Sequence, residues 1–210
     1  MKTKRTLLAL SIIALLLLTS CAANYRLINP ATLYYPSNGL ESGVKISTRY
    51  DVLRFRGNKK YAKKEFKNGI KVVAIEITNL TDSVLMVGRD IEFFAGQQPV
   101  ELMDPNSVTS TIKQSTLAYL PYILMTFLQL NYTVSTTNGT KSGSLPIGYA
   151  LGPCITLGNI LCASKANENL KLELNDNNIM NRSIQKGESI YGIIAFRSFD
   201  YLPISAKIKK

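Results

Sequence analysis

Histidine and tryptophan are both missing from this 210-residue chain, and it holds only three cysteines, Cys21, Cys154 and Cys162. Without histidine no Ser-His-Asp triad can be assembled, and without a CxxC pair no zinc site of ordinary ligand spacing can form. A glycine-rich phosphate loop is also missing. Charge is scarce in one place above all: from Gln114 to Ser164 the only ionisable Lys, Arg, Asp or Glu is Lys141. These absences turn the reading away from catalysis, and neither a catalytic residue, a metal nor a cofactor is expected.

What is present begins with a leader. Lys2, Lys4 and Arg5 precede an apolar run from Leu7 to Leu18 that only Ser11 interrupts. That run is short of the roughly 20 apolar residues that span a bilayer, and it suits the h-region of a secretory signal. It ends in Leu18-Thr19-Ser20-Cys21, which resembles the bacterial lipobox. The resemblance implies a signal peptide over residues 1–20, removal of that leader, and a mature N-terminus at Cys21 bearing diacylglycerol and palmitate-type acylation. Ala22 follows, not the Asp that favours inner-membrane retention in Gram-negative lipoproteins, so the resemblance implies the outer membrane. No acidic run suggests export to the cell surface, and the periplasmic face is expected. Of the other cysteines, Cys154 and Cys162 on one helix would stand about 12 Å apart along its axis, beyond disulfide reach.

The formal charge of +11 falls to +8 once Lys2, Lys4 and Arg5 are set aside. Between Lys45 and Lys71 stand ten basic residues against Asp51 and Glu65, so this one segment carries an excess equal to that of the whole mature chain. Lys59, Lys60, Lys63, Lys64 and Lys67 are the candidate surface for an anionic membrane, lipid or phosphorylated glycolipid. A solvated basic hairpin without a partner is the alternative. Nucleic acid would be attracted electrostatically, but export makes it no expected partner.

Taken in order, residues 21–43 read as a tether or strap, punctuated by Pro30, Pro36 and Gly39 yet too rich in Tyr and Leu for simple disorder. Alternation from Val44 to Val52 predicts a half-buried strand, Lys59 to Phe66 a helical turn or hairpin tip, and Ile70 to Thr78 the strongest strand. Val84 to Phe94 reads as one or two strands with a bulge at Gly88, and Pro99 to Leu102 as a short one. Leu170, Leu172 and Leu174 alternate with polar residues, which predicts a strand at Asn169 to Asn175.

The strand ending Ile77-Thr78-Asn79-Leu80-Thr81-Asp82-Ser83, then Asp90-Ile91-Glu92-Phe93-Phe94 and Pro99-Val100-Glu101-Leu102, resembles the first half of telokin-like, immunoglobulin-like secreted domains of bacteria. Gln185-Lys186-Gly187-Glu188-Ser189, followed by the strand to Phe196, resembles their second half, with Lys186 where the family usually has proline. The resemblance covers about two fifths of the mature chain by the extent of those matched strands. It implies a mainly β fold: an immunoglobulin-like antiparallel β-sandwich over residues 44–210, with an insertion at about 105–167. Two apolar blocks, Leu117 to Leu130 and Leu145 to Ala163, predict that the insertion is a helical hairpin joined by a polar loop from Thr133 to Ser144. It packs on the sandwich, dips into the membrane beside the anchor, or is covered by a partner chain.

Other chemistry is weaker. Ser110-Thr111-Ile112-Lys113 and Lys141-Ser142-Gly143 imitate serine acyl-enzyme motifs but lack the spacing and fold those motifs need. Asp90 and Glu92 read as solvated strand charges. Asp82-Ser83-Val84 resembles an O-glycan acceptor of some Gram-negative bacteria, which makes Ser83 a candidate for modification. Function is therefore expected to be that of a lipid-anchored, non-enzymatic envelope module for binding or assembly with an envelope protein. An adhesin or pilus-like subunit is the first alternative and an envelope hydrolase the second. Protein extracted from envelopes is expected to start at Cys21 and to carry acyl chains; mass spectrometry finding a bare thiol behind an intact leader would refute this.

Overall fold

Residues 21–137 and 139–209 are described by the computed structural model, and the leader expected over residues 1–20 lies outside them. The chain divides into two units. Of the described residues, unit 2 comprises 25–113 and 166–209, and unit 1 comprises 114–165 with 21–24.

Unit 2 is built on β3 (Ile70–Asn79), the strand most evident from sequence. It lies at the centre of an antiparallel sheet of order β1 (Ser37–Glu41), β2 (Val44–Arg49), β3 and β10 (Ser189–Arg197). Its run Ile-Lys-Val-Val-Ala-Ile is buried on both faces, as expected of a strand covered on two sides. Val73, Ile75 and Ile77 join one core with Val44, Ile46 and Phe196. The same core takes Ile91, Phe93 and Ala95 of β5 (Ile91–Ala95) and Ile204 and Ala206 of β11 (Ile204–Ile208), two strands paired in register from Ile91–Ile208 to Ala95–Ile204. The short strand β6 (Gln98–Pro99) pairs with β5, and β4 (Leu85–Met86) pairs with β9 (Ser183–Ile184). On the opposite face Ile70, Val72, Ala74, Ile193 and Ala195 pack with helical residues such as Leu53, Tyr61, Val108, Ile112, Leu170 and Leu174.

Those helices are α1 (Val52–Phe55), α2 (Lys59–Lys67) and α3 (Pro105–Ile112), together with the later part of α4 (Gly148–Asp176). Asp104 starts α3 as an N-cap, accepting the Asn106 and Ser107 amides, with Pro105 in the first turn. Helix and strand are nearly equal, 34% and 32%, so the antiparallel sheets are present and the expectation of a mainly β fold holds only in part.

Three expectations are corrected. Asn169 to Asn175 is helix: Ala166, Leu170 and Leu174 are buried at four-residue spacing, whereas Leu172 is 52% exposed. The strap contains β1, joined to β2 by Ser42 and Gly43, both at positive φ as a two-residue hairpin turn requires. The insertion is not a helical hairpin. Unit 1 has a 3-10 helix at Leu117–Phe127, then the hairpin β7 (Leu130–Thr136) and β8 (Gly139–Leu145) where a loop was expected, then α4.

Gly148 and Gly152 explain how unit 1 closes. A Cβ on Gly148 would stand 2.3 Å from the Met125 carbonyl oxygen, and one on Gly152 2.6 Å from the Thr126 amide nitrogen. One helix apart by four residues, these glycines form a bare seam on which the backbone of residues 125–128 lies. The Gly148 amide donates to the Leu128 carbonyl across it at 2.9 Å.

In unit 2 the strap is fastened by one carboxylate. Glu173 of α4, 5% exposed, accepts the Ile28 amide at 2.6 Å, the Asn29 amide at 2.8 Å and the Tyr25 hydroxyl at 2.5 Å. Burial and the neighbouring Glu173 charge push the Tyr25 phenol far above its ordinary range, so it stays a donor. Glu173→Ala strands the buried Ile28 amide and is expected to cost about 3 kcal/mol or more, against about 1 for Glu173→Gln, which retains the acceptor. Urea unfolding of the two variants measures the difference.

Candidate membrane-facing and anion-binding surfaces

Unit 1 holds the chain that follows Cys21. The Ala22 amide donates to Asn159 Oδ1 at 2.6 Å, and the Ala23 amide donates to Gln114 Oε1 at 3.1 Å while Gln114 Nε2 donates to the Ala23 carbonyl at 2.7 Å. Cys162 Sγ donates to Asn24 Oδ1 at 3.1 Å. Cys21 itself is exposed, and Cys154 and Cys162 are unbonded thiols.

The surface of this unit is apolar. Leu117, Leu124, Phe127, Tyr149 and Leu161 are each more than 60% exposed. The hairpin is two-faced: the register pairs Leu130 with Leu145, Tyr132 with Gly143 and Val134 with Lys141 on one face. On the other it pairs Asn131 with Ser144, Thr133 with Ser142 and Ser135 with Thr140. Leu130, Tyr132, Val134 and Leu145 nevertheless remain about half exposed, 45 to 50%. So large an uncovered apolar surface is of the kind that a membrane or a partner chain covers in other proteins. Among the described residues no helix is long and apolar enough to cross a membrane.

In unit 2 the five lysines expected to form one basic surface are divided. Tyr61 and Glu65 turn α2 inward, which leaves Lys59, Lys63 and Lys67 exposed and Lys60 and Lys64 half-buried. Lys64 Nζ donates to the Lys113 carbonyl at the end of α3, and burial, then Lys113 and Lys67, lower its pKa. Lys59 and Lys63 line an open cleft of about 460 Å³ together with Arg54, Asp51, Ala62, Phe66 and Tyr201. Asn58 fixes the corner between α1 and α2, donating to the Arg26 carbonyl at 2.7 Å and accepting the Arg26 amide at 2.9 Å.

Sequence reasoning missed Arg54, Phe66 and Tyr201 at this cleft, because Tyr201 is distant in sequence and no local pattern joins it to α2. Tyr201 donates to Asp51 Oδ1 at 2.8 Å, and Lys71 Nζ lies 3.4 Å from the centre of its ring. Lys71 is only 4% exposed, so its charge sits behind the aromatic wall.

Glu65 is buried close behind this wall and accepts the Val72 amide at 2.7 Å. Burial pushes its carboxyl up to about 7, with Asp51 adding to the rise and the Val72 amide and Lys71 opposing it.

The remaining candidates have local roles. Asp90 accepts the Met86 amide at 2.8 Å and both ends of the Arg89 guanidinium, which, with Arg89 foremost, hold its carboxyl down at about 2. Ser110 Oγ donates to the Ser107 carbonyl within α3. Neither residue lines the 460 Å³ cleft or a second open cleft of about 600 Å³ beside β10, so no nucleophile or carboxylate pair expected from sequence stands in these clefts. Ser83 is exposed in a loop that Asn79 shapes, its carbonyl accepting Asn79 Nδ2 at 2.7 Å. Asn79 is wholly buried.

Comparison with protein-family models, curated proteins and solved structures finds no match for this chain.

A raised carboxyl pKa fixes the sign of one pH effect. Unfolding returns Glu65 to its ordinary value near 4.5, so between about pH 4.5 and 7 the native state holds the extra proton and stability falls as pH rises. Glu65→Gln is expected to be neutral near pH 4 and stabilising by at most about 3 kcal/mol at pH 8. Thermal melts across that range give the slope; parallel curves for the two proteins would contradict it.

Proposed function

We propose that this protein is a lipid-anchored envelope module, non-catalytic, seated on the outer membrane by acylated Cys21 and by the apolar surface of unit 1. The observation that carries this reading is the hydrogen bonding of Ala22 and Ala23 into the one unit of the chain that exposes an almost uncharged apolar surface. An acyl group on Cys21 would emerge beside Leu- and Phe-rich surface, and the two would enter the same apolar phase. Multiple acyl chains on Cys21 would hold the chain at the membrane by themselves, and the apolar surface of unit 1 would add contact with the same phase. Lys141 lies at the end of the apolar face of the hairpin, where its ammonium can reach headgroups while the stem stays in contact with apolar surface.

Unit 2 is the part available for binding or assembly. Its four-stranded and three-stranded antiparallel sheets share one core, which supports the immunoglobulin-like β-sandwich reading, with the cover of helices as a departure. Arg54, Lys59 and Lys63 give it a preference for anionic groups. Exposure of Ser83 is compatible with a glycan there.

The chain has no tryptophan, so one indole reports on one place. In a Cys21→Ala background, Phe127→Trp is expected to bind phosphatidylcholine vesicles weakly and to be quenched by brominated acyl chains. Adding Leu117→Ser and Leu124→Ser is expected to weaken that binding about 30-fold or more, from the apolar area withdrawn. An unquenched indole, with the protein recovered as a stable oligomer, would overturn the membrane seat and favour a protein partner.

A further inference from the structure

The cleft of unit 2 has a composition that a membrane-facing lysine patch does not need. Arg54, Lys59 and Lys63 converge on about 460 Å³, and among the described residues none of them makes an ion pair. Lys59 and Lys63 stand one helical turn apart on the same exposed face of α2, held there by the burial of Tyr61 and Glu65. Like charges at that spacing repel, and among the described residues no salt bridge pairs either lysine with a carboxylate. The one acid in the lining, Asp51, already accepts the Tyr201 hydroxyl through Oδ1. Counted together, the lining carries a net charge of +2.

Two aromatic rings share the space. Phe66 is 69% and Tyr201 53% exposed. Tyr201 is fixed from three directions: its hydroxyl by Asp51, its ring by the Lys71 ammonium, and its edge by Tyr50, whose ring centre is 5.4 Å away. A ring immobilised in this way is a wall, already ordered before anything binds, and its ordering cost is not charged to the ligand.

We propose that this cleft binds a phosphorylated saccharide, with Arg54, Lys59 and Lys63 on the phosphate and Phe66 and Tyr201 against the apolar face of the sugar ring. A phosphomonoester carries about −1.5 to −2 at neutral pH, which matches the lining charge. The guanidinium of Arg54 offers a planar pair of donors to phosphate oxygens, and the two ammonium groups add charge without directional demand. Asp51 Oδ2, away from the oxygen that Tyr201 uses, accepts from a ring hydroxyl. A cleft of this volume falls in the range of small-ligand sites and is too small for a folded partner. Bare phosphate would satisfy the cations and leave both rings wet; an unphosphorylated sugar would leave the cations unopposed.

The inference rests on the reading of unit 2 as a binding module and is independent of the anchor at Cys21. Titration calorimetry of the full Cys21→Ala chain with glucose 1-phosphate, inorganic phosphate and glucose decides it. Glucose 1-phosphate is expected to bind about tenfold more tightly than inorganic phosphate, and glucose not measurably. Lys59→Gln with Lys63→Gln is expected to weaken glucose 1-phosphate at least about tenfold. Phe66→Ala is expected to remove the preference over inorganic phosphate while leaving phosphate itself bound as before. Both changes are at exposed side chains, and unchanged melting temperatures will show that the fold persists.

A second arm separates the sources of the ligand. Vesicles containing a phosphorylated glycolipid are compared with vesicles of phosphatidylglycerol at equal charge. Retention on the glycolipid that depends on Phe66, with glucose 1-phosphate inactive as competitor, supports a lipid-borne sugar phosphate; effective competition supports a soluble one. Equal affinity for inorganic phosphate and glucose 1-phosphate, together with equal retention on both vesicles, would overturn the proposal and leave only a charged surface. A chain found unacylated that still binds glucose 1-phosphate would end the anchor reading and spare this one.

Discussion

Glu173 is the constraint on which unit 2 turns. A carboxylate that is 5% exposed survives only because three donors meet it, two amides and a phenol, all from the segment Tyr25–Asn29. The arrangement solves two problems together, since the strap has irregular backbone whose amides need partners and α4 has a charge that needs neutral company. Everything downstream of the strap benefits. Arg26 is held in place for Asn58, Asn58 sets the corner between α1 and α2, and that corner aims Arg54 and Lys59 at one cleft.

The sheet strands were legible where a single face met the core. Period-two alternation located β2 closely, the reading of Val84 to Phe94 as one or two strands takes in most of β5, and the continuous apolar run of β3 matches a strand buried on two sides. The failures have one cause: a local pattern compatible with two periods. Leu170, Leu172 and Leu174 alternate like a strand, but Ala166, Leu170 and Leu174 also repeat every four residues, and the buried Glu173 between them gives the decisive contacts. Likewise Thr133 to Ser144 looked like a polar loop because one face of the hairpin is all hydroxyl and amide, while of the other face's large apolar residues only Val134 lies inside that range and Leu130, Tyr132 and Leu145 lie just beyond its ends.

The candidate site was half visible. Lysine density pointed to α2, yet sequence could not say which lysines face outward, because that depends on Tyr61 and Glu65 packing against β3. Tyr201 was invisible for a different reason: its partner Asp51 is 150 residues away, and no spacing rule reaches that far. Sequence alone marks the glycines of unit 1 only as poor helix formers. Their use as a seam becomes apparent only when residues 125–128 are seen lying on them.

The fourth-strand edge of the main sheet has a further consequence. Outward-pointing groups of β10 are already engaged: the Ile193 amide donates to Asn177, and the Ala195 carbonyl accepts from Met103. Gly192 lets Ile179 cross so near that any side chain there would collide with it. A neighbouring molecule that tried to extend this sheet by docking an extra strand along its middle would find the ladder capped, so fibre growth by that route is blocked at the backbone, without help from surface charge.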